Sequence, residues 1–401
     1  MKQPSFFDTQ RLTLKDSIEL TAQSLQAFGS GHRHWAIAYS GGKDSSATVS
    51  VVVHLIETGV IHRPESLTVL YADTRQEIPP LHFSAMKMLD WLNQRGIDTQ
   101  IVLPKLDDRF FVYMFGRGVP PPNNNTLRWC TPQIKVEPMV NALKALRDEH
   151  GEKFLIITGV RVGESAARDQ RIALSCGRNG AECGQGWFQE TTPESVADTL
   201  APLLHWRVCH VWDWLMFDAP ALGFPTNLVA EVYGGEAAQE MNARTGCIGC
   251  PLAERDIALD YVIGLPQWEY LAPLKRLKPL YRELRQFKFR LQKVGERNSD
   301  GRLSSNPNRK GPLTLHARRY GLSAVLDVQD EINVVARAKD RPQIILINAG
   351  ELERIEELMV SNTWPQRWTG NEPHGDVLVQ QIFKGGEIQD ILPIDISSVL
   401  W

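Results

Sequence analysis

With 401 residues, 43% of them hydrophobic and a net charge of only −3, the chain has length and apolar content for a large core, which excludes a disordered polyelectrolyte. No apolar run reaches the roughly 20 residues a membrane-spanning helix needs, and Met1-Lys-Gln-Pro-Ser-Phe-Phe lacks the apolar core and cleavage site of a signal peptide. A cytoplasmic protein with no membrane partner is expected, its six cysteines (Cys130, Cys176, Cys183, Cys209, Cys247, Cys250) held as thiols.

Leu14, Ile18, Leu25 and Phe28 recur at helical spacing before Gly29, which predicts an amphipathic helix. Trp35-Ala-Ile-Ala-Tyr39 then reads as a strand. It stops at Ser40-Gly41-Gly42-Lys43-Asp44-Ser45-Ser46, and Val49 to Ile56 follow as a buried helix closed by Gly59. A strand feeding a glycine turn and a helix gathers backbone N–H groups and the positive helix end at one point, which suits an anion. Gly41 and Gly42 let backbone approach a phosphate, the serines add hydroxyl donors, and Lys43 adds a point charge. The spacing is not that of the Walker loop, which needs four residues between its first glycine and the Gly-Lys pair.

Leu67 to Tyr71 predicts a second strand ending in Ala72-Asp73-Thr74. A helix through Leu81, Ala85, Met88, Leu89 and Leu92 follows, closed by Gly96, and Gln100 to Leu103 reads as a third strand. After Asp107-Asp108 and a Pro/Gly segment, Gly116 to Pro122, come Arg128-Trp129-Cys130-Thr131 and Lys135. A helix through Val140, Leu143 and Leu146 leads to a fourth strand, Phe154 to Thr158. Alternation of this kind predicts an α/β fold, a doubly wound parallel sheet whose ligands bind at the carboxyl ends of the strands. Asp73 and the Ser40 loop sit at such ends. So does Gly159-Val-Arg161, whose Arg161, Glu164 and Arg168 would share a face if helical.

Residues 173–187 read as a glycine-rich loop carrying Cys176 and Cys183. Trp206, Trp212 and Trp214 read as core packing, with Cys209 a core thiol among them. Cys247-Ile-Gly-Cys250 has spacing that more often binds metal or does redox work than forms a disulfide. Lys275 to Arg319 carries fourteen Lys/Arg against three Asp/Glu, a net +11 on an otherwise acidic chain, and is read as a polyanion track. Ile344 to Ile347 is strand-like, and a helix is expected over 351–360. The expected division is 1–255 for the sheet domain with its cysteines and 256–401 for a basic, mainly helical extension.

Taken together, Ser40-Gly-Gly-Lys-Asp-Ser45, Ala72-Asp73-Thr74, Asp107-Asp108, Gly116-Arg-Gly, Arg128-Trp129-Cys130-Thr131 through Lys135, Gly159-Val-Arg161 with Glu164 to Arg168, and Gly246-Cys247-x-x-Cys250 resemble, over about Trp35 to Asp256, the phosphoadenosine phosphosulfate reductase branch of the PP-loop ATP pyrophosphatases. Within that adenine nucleotide alpha hydrolase-like superfamily, the likeness is to DNA phosphorothioation proteins of the DndC and SspD type. The resemblance implies ATP-dependent adenylation of a DNA backbone phosphate, release of pyrophosphate, and replacement of AMP by sulfur from a cysteine desulfurase, alongside other phosphorothioation proteins. It implies ATP contacts from Ser40 to Ser46, Asp73, Thr74, Gly159, Arg161 and Glu164. Asp73 and Asp44 would orient Mg2+ or the nucleotide, and Lys43, Lys135, Arg161 and Arg168 would neutralise phosphate charge. It also implies a 4Fe-4S cluster on Cys130, Cys247, Cys250 and, in place of a cysteine expected near Ala237, Cys183, with Cys176 its competitor. Zinc on Cys176, Cys183, Cys247 and Cys250 is the alternative. The other readings are a sulfonucleotide reductase, for which the nucleophilic cysteine beyond Cys250 is missing, a tRNA thiolase, and a non-catalytic nucleic-acid-binding regulator.

Overall fold

His34–Tyr39 (β1) is buried along nearly its whole length, so helices must cover both of its faces. The computed structural model describes residues 12–123, 127–163, 170, 181–182, 187–189, 196–233, 247–292, 310–374, 379–382 and 388–391. Helix α1 (Leu14–Gly29) opens with a capping box in which Thr13 and Asp16 exchange hydrogen bonds. Then come α2 (Lys43–Glu57), β2 (Ser66–Ala72), α3 (Pro79–Gln94), β3 (Asp98–Val102), α4 (Glu137–His150) and β4 (Phe154–Ile157). All begin or end within a few residues of the positions expected from periodicity.

The sheet has the order β3-β2-β1-β4-β7-β6-β5, where β5 is Ala181–Glu182, β6 Trp187–Gln189 and β7 Ala197–Ala201. The first five in that order run parallel, with Trp35 paired to Leu67 on one side and to Leu155 on the other. β6 and β5 add on antiparallel. Two elements of the expected 173–187 loop are therefore strands: they pair along the β7 side, which otherwise would be an open edge. Strand order reverses between β1 and β4, and the crevice of such a sheet lies there, at the carboxyl ends.

The tryptophans pack as expected. Trp206, Trp212 and Trp214 are buried, and their ring N–H groups are partly satisfied by α1 and α2: Trp206 Nε1 donates to Thr21 Oγ1 (2.9 Å) and Trp214 Nε1 to Ser50 Oγ (2.8 Å). Cys209, read as a core thiol, is only half-buried, because it lies on the outer side of the short helix Val208–Asp213 (α5), whose buried residues are His210, Val211 and Trp212.

After α6 (Asn227–Val232) and α7 (Ile257–Gly264), the later part of the chain is mainly helical: α8 (Leu277–Glu283), α9 (Leu315–Ala338) and α10 (Ala349–Val360), with the hairpin β8 (Arg290–Gln292) and β9 (Lys310–Leu313). One hydrophobic cluster runs from Ala22 to Leu358, across position 255. Ile344 to Ile347 is not a strand. Its backbone N–H groups are taken by side chains of α9, Ile344 by Asn333 Oδ1 and both Leu346 and Ile347 by Gln329 Oε1, so no ladder partner is needed.

The C-terminal helix α10 is anchored by ions. Arg354 grips Asp107 through two nitrogens (2.7 and 2.9 Å), and the Asp107 carboxyl is held low, chiefly by that hydrogen bond. A carboxyl lowered in the folded state contributes stability above its unfolded pKa and loses it as pH falls, so this exposed anchor gives a small contribution that fades below about pH 4. Glu351 is buried: it closes the Asn348 capping box and pairs with Arg109 (3.1 Å) and Arg75 (3.6 Å). Glu351→Gln should lower stability by about 2–4 kcal/mol in urea unfolding, since it leaves two guanidinium groups with a neutral partner. Asp107-Asp108 and Gly116, motif residues by resemblance, thus meet the C-terminal helices. A side chain at Gly116 would come within 2.8 Å of Leu358, and the buried Arg318 donates to the carbonyls of Phe115, Gly116 and Thr363. Among the described residues no helix is long and apolar enough to cross a membrane.

Candidate functional site

The Ser40 to Ser46 turn leaves β1 and enters α2 as a phosphate-binding nest would. Gly41 has φ +72, a conformation that favours glycine, and a Cβ there would touch Ala85 at 3.2 Å. Gly42 is the helix N-cap in extended conformation with no side-chain cap, which leaves the first-turn N–H groups of α2 directed out of the helix end. Ser45 Oγ donates to the Gly42 carbonyl (3.0 Å) and receives the Ser40 N–H (3.2 Å). It also lies 3.2 Å from Ser40 Oγ, so the two hydroxyls stiffen the turn. Ser46 is buried.

Arg161 lies beneath this turn. It is 2% exposed, and it donates to Asp44 Oδ1 (2.6 Å) and to the Trp206 carbonyl (3.1 Å). The other Asp44 oxygen receives Lys43 Nζ at 2.8 Å. Asp44 therefore links the loop lysine to a buried arginine, and Arg161 braces the loop from the β4 side. Gly159 permits that approach, because a Cβ there would lie 2.9 Å from the Asp44 carbonyl and Thr48 Oγ1. Gly159→Ala should cost about 1–3 kcal/mol, read as a lowered melting temperature. Tyr233, which sequence reasoning missed, covers the turn from the other side: its hydroxyl is 3.5 Å from the Lys43 N–H, and Lys43 Nζ stands 5.5 Å from its ring centre. Nothing in the local sequence singles it out.

At the end of β2, Asp73 is buried and accepts the Arg75 N–H (2.8 Å). Arg75 has φ +62, unusual for a non-glycine residue. The Thr74 hydroxyl is engaged by Glu77 (2.6 Å), and burial, ahead of the nearby Asp73 charge, pushes the Glu77 carboxyl up. Asp73, Arg75, Glu77, His82, Phe83 and Ile248 line a cavity of about 130 Å³, closed by residues 343–346. Burial, ahead of the nearby charges, pushes the His82 imidazole down.

The Cys247 loop is attached to this region by the Ile248 N–H, which donates to the Gln76 carbonyl (2.7 Å). Cys247 is accessible by area yet sits in a recess, and surrounding protein, then Glu77, Cys250 and Cys130, push its thiol up to about 12 while Lys135 pulls the other way. Burial and then Cys250 also act on Cys130, raising its thiol. The three thiols thus share one neighbourhood, with the exposed Lys135 near them. Among the described residues, no three His, Cys, Asp or Glu side chains converge tightly enough for a single metal ion. A cluster whose ligands sit on separate irons needs less convergence. One buried group fits such an occupant: the Tyr281 ring packs against Gly249, 3.2 Å from where a Cβ would stand, and its hydroxyl has no hydrogen-bond partner among the described residues. A donor without an acceptor beside two thiols suits an anionic, sulfur-rich group. Cys176, Cys183, Glu164 and Arg168 lie outside the described residues.

The basic segment is less uniform than its composition. Lys278 is buried against Asp256 (2.9 Å), and Arg276 and Lys275 pair with Glu331 and Asp260. Lys288 faces Glu283 at 3.4 Å. Arg290 and Arg318 are buried and donate to backbone carbonyls. Those side chains hold the fold rather than line a track. Residues 293–309, which carry four more of the fourteen Lys/Arg, lie outside the described residues.

A parallel sheet with a glycine and serine nest at a strand end, at the point where strand order reverses, defines an α/β domain with the geometry of an anion-binding turn at its strand ends. Residues 34–219 match the family model described as phosphoadenosine phosphosulfate reductase domain, a match that takes in just under half of the chain. No curated protein matches the sequence. Solved structures similar to the chain include phosphoadenylyl-sulfate reductase from Candida auris in a phosphate complex, at 13% identity over 53% of this chain and 93% of that one, TM-score 0.32. A U34-tRNA thiolase from Methanococcus maripaludis with its 4Fe-4S cluster gives 14% over 68% and 82%, TM-score 0.34. NMN synthetase from Francisella tularensis gives 13% over 68% and 95%, TM-score 0.33. At those scores the structural likenesses carry no argument, and the fold rests on the strand order itself.

Proposed function

We propose that the chain is an ATP pyrophosphatase that primes a DNA backbone phosphate for sulfur. The observation that carries this is the Ser40 to Ser46 nest with Lys43 at the strand end next to that of Asp73, whose loop is in turn bonded to the Cys247 loop through Gln76 and Ile248. A DNA phosphate oxygen attacks the α-phosphorus of ATP, the new P–O bond forms, and the bond to the β-phosphate oxygen breaks. Pyrophosphate leaves with its charge offset by the α2 N-terminus and Lys43. Asp73, oriented by the Arg75 N–H, would hold Mg2+ or the nucleotide. Sulfur delivered at the sulfide level (hydrosulfide) then attacks the activated DNA phosphorus, a P–S bond forms, the P–O bond to AMP breaks, and AMP leaves with that oxygen. Cys130, Cys247 and Cys250, with a fourth ligand elsewhere in the chain, would hold a 4Fe-4S cluster, which when bound supplies a place to handle that sulfur.

The test is pyrophosphate release in the presence and absence of DNA, paired with mass spectrometry of nuclease-digested DNA from cells with and without the chain. DNA-stimulated release and sulfur-containing dinucleotides are expected. Release indifferent to DNA, with unmodified DNA, would end the proposal. The match to the reductase domain favours a second reading, reduction of a sulfonucleotide, which an assay for sulfite release from phosphoadenosine phosphosulfate decides.

A further inference from the structure

Once the paired and buried members of the basic segment are set aside, two cations stand out. Arg285 follows α8 and is half-buried, and its Nε and Nη2 are enclosed with no hydrogen-bond partner among the described residues. Lys310 opens β9 and is exposed. Its Nζ donates to the Arg285 carbonyl (3.0 Å) and stands 4.3 Å from the centre of the Phe287 ring, which leaves ammonium protons free to bind. Arg290 fixes the pair from below by donating to the carbonyls of Gly311 (2.6 Å) and Lys310 (3.3 Å).

We propose that Arg285 and Lys310 form an oxyanion site and, resting on the reading above, that its occupant is a backbone phosphate of the DNA. Two unpaired guanidinium N–H groups and an ammonium on one side of a hairpin match the oxygens of a phosphate. The electrostatics agree. Burial and then Arg282 push the Arg285 guanidinium down, and burial and then Arg290 and Arg285 do the same to Lys310. Among the described residues no carboxylate pairs with either. Clustered cations without a counter-charge are a cost that a bound anion removes. Arg285 lies four residues beyond Tyr281, whose ring packs against Gly249, so the site lies toward the Cys247–Cys250 loop. A phosphate held there places the DNA backbone near the sulfur-bearing residues.

The experiment uses the full chain, a fluorescein-labelled DNA duplex and anisotropy over a salt series. Arg285→Gln and Lys310→Gln should each weaken binding about tenfold and flatten the slope of log K against log salt by about 1. Arg285→Lys should recover part of the loss, and Lys288→Gln, already paired with Glu283, should change little. Wild-type binding that both Gln variants retain with the same slope overturns the site and leaves the DNA reading standing. Tighter Arg285-dependent binding of a labelled RNA overturns DNA as the occupant. If the wild type binds no nucleic acid, thermal stabilisation by inorganic phosphate in a Lys43→Ala background decides: stabilisation lost with Arg285→Gln supports an oxyanion site for a smaller ligand, and stabilisation unaffected by it overturns the proposal.

Discussion

Lys43→Ala should reduce ATP-dependent pyrophosphate release by about 10²–10³-fold while leaving the melting temperature nearly unchanged. The size follows from removing a fixed donor aimed at a departing, highly charged group in a site sheltered from water. The unchanged stability follows from the geometry: Asp44 loses the Lys43 ammonium but keeps Arg161 at 2.6 Å, so no buried carboxylate is left unpaired. A coupled pyrophosphate assay and a thermal melt on the same preparation check both halves. Release at the wild-type rate would remove ATP from the account of this loop.

Arg161→Leu should behave in the opposite way, lowering stability by about 3–5 kcal/mol in urea unfolding. It removes the Arg161 donor from the Trp206 carbonyl and from Asp44, whose other oxygen still holds Lys43. Because the cost arises from an uncompensated partner rather than from the pair's own worth, Asp44→Leu added to Arg161→Leu should recover part of the lost stability without recovering activity. Two single variants no less destabilised than the double would support the bracing role, and strict additivity would argue against it.

The parallel sheet and the nest were legible because both are local: a short apolar run, two glycines and flanking hydroxyls declare themselves within fifteen residues. Asp73 was found for the same reason, at the end of an unmistakable strand. What was not legible depends on contacts remote in sequence. Tyr233 reaches Lys43 only through the fold. Glu351 meets Arg75 and Arg109 from a helix that periodicity located but could not dock. Arg161 has the composition of a phosphate ligand and the burial of a structural ion pair, a distinction that needs its partner Asp44 in view. The basic segment shows the same limit, since net charge counts Arg290 and Arg285 alike while only Arg285 keeps unpaired N–H groups.

The bond from the Ile248 N–H to the Gln76 carbonyl ties the thiol-bearing loop to the acid-bearing loop. Neither can swing outward alone without breaking it. A displacement of either loop is therefore felt at the other, so the positions of Asp73 and Cys247 are coupled through one backbone hydrogen bond.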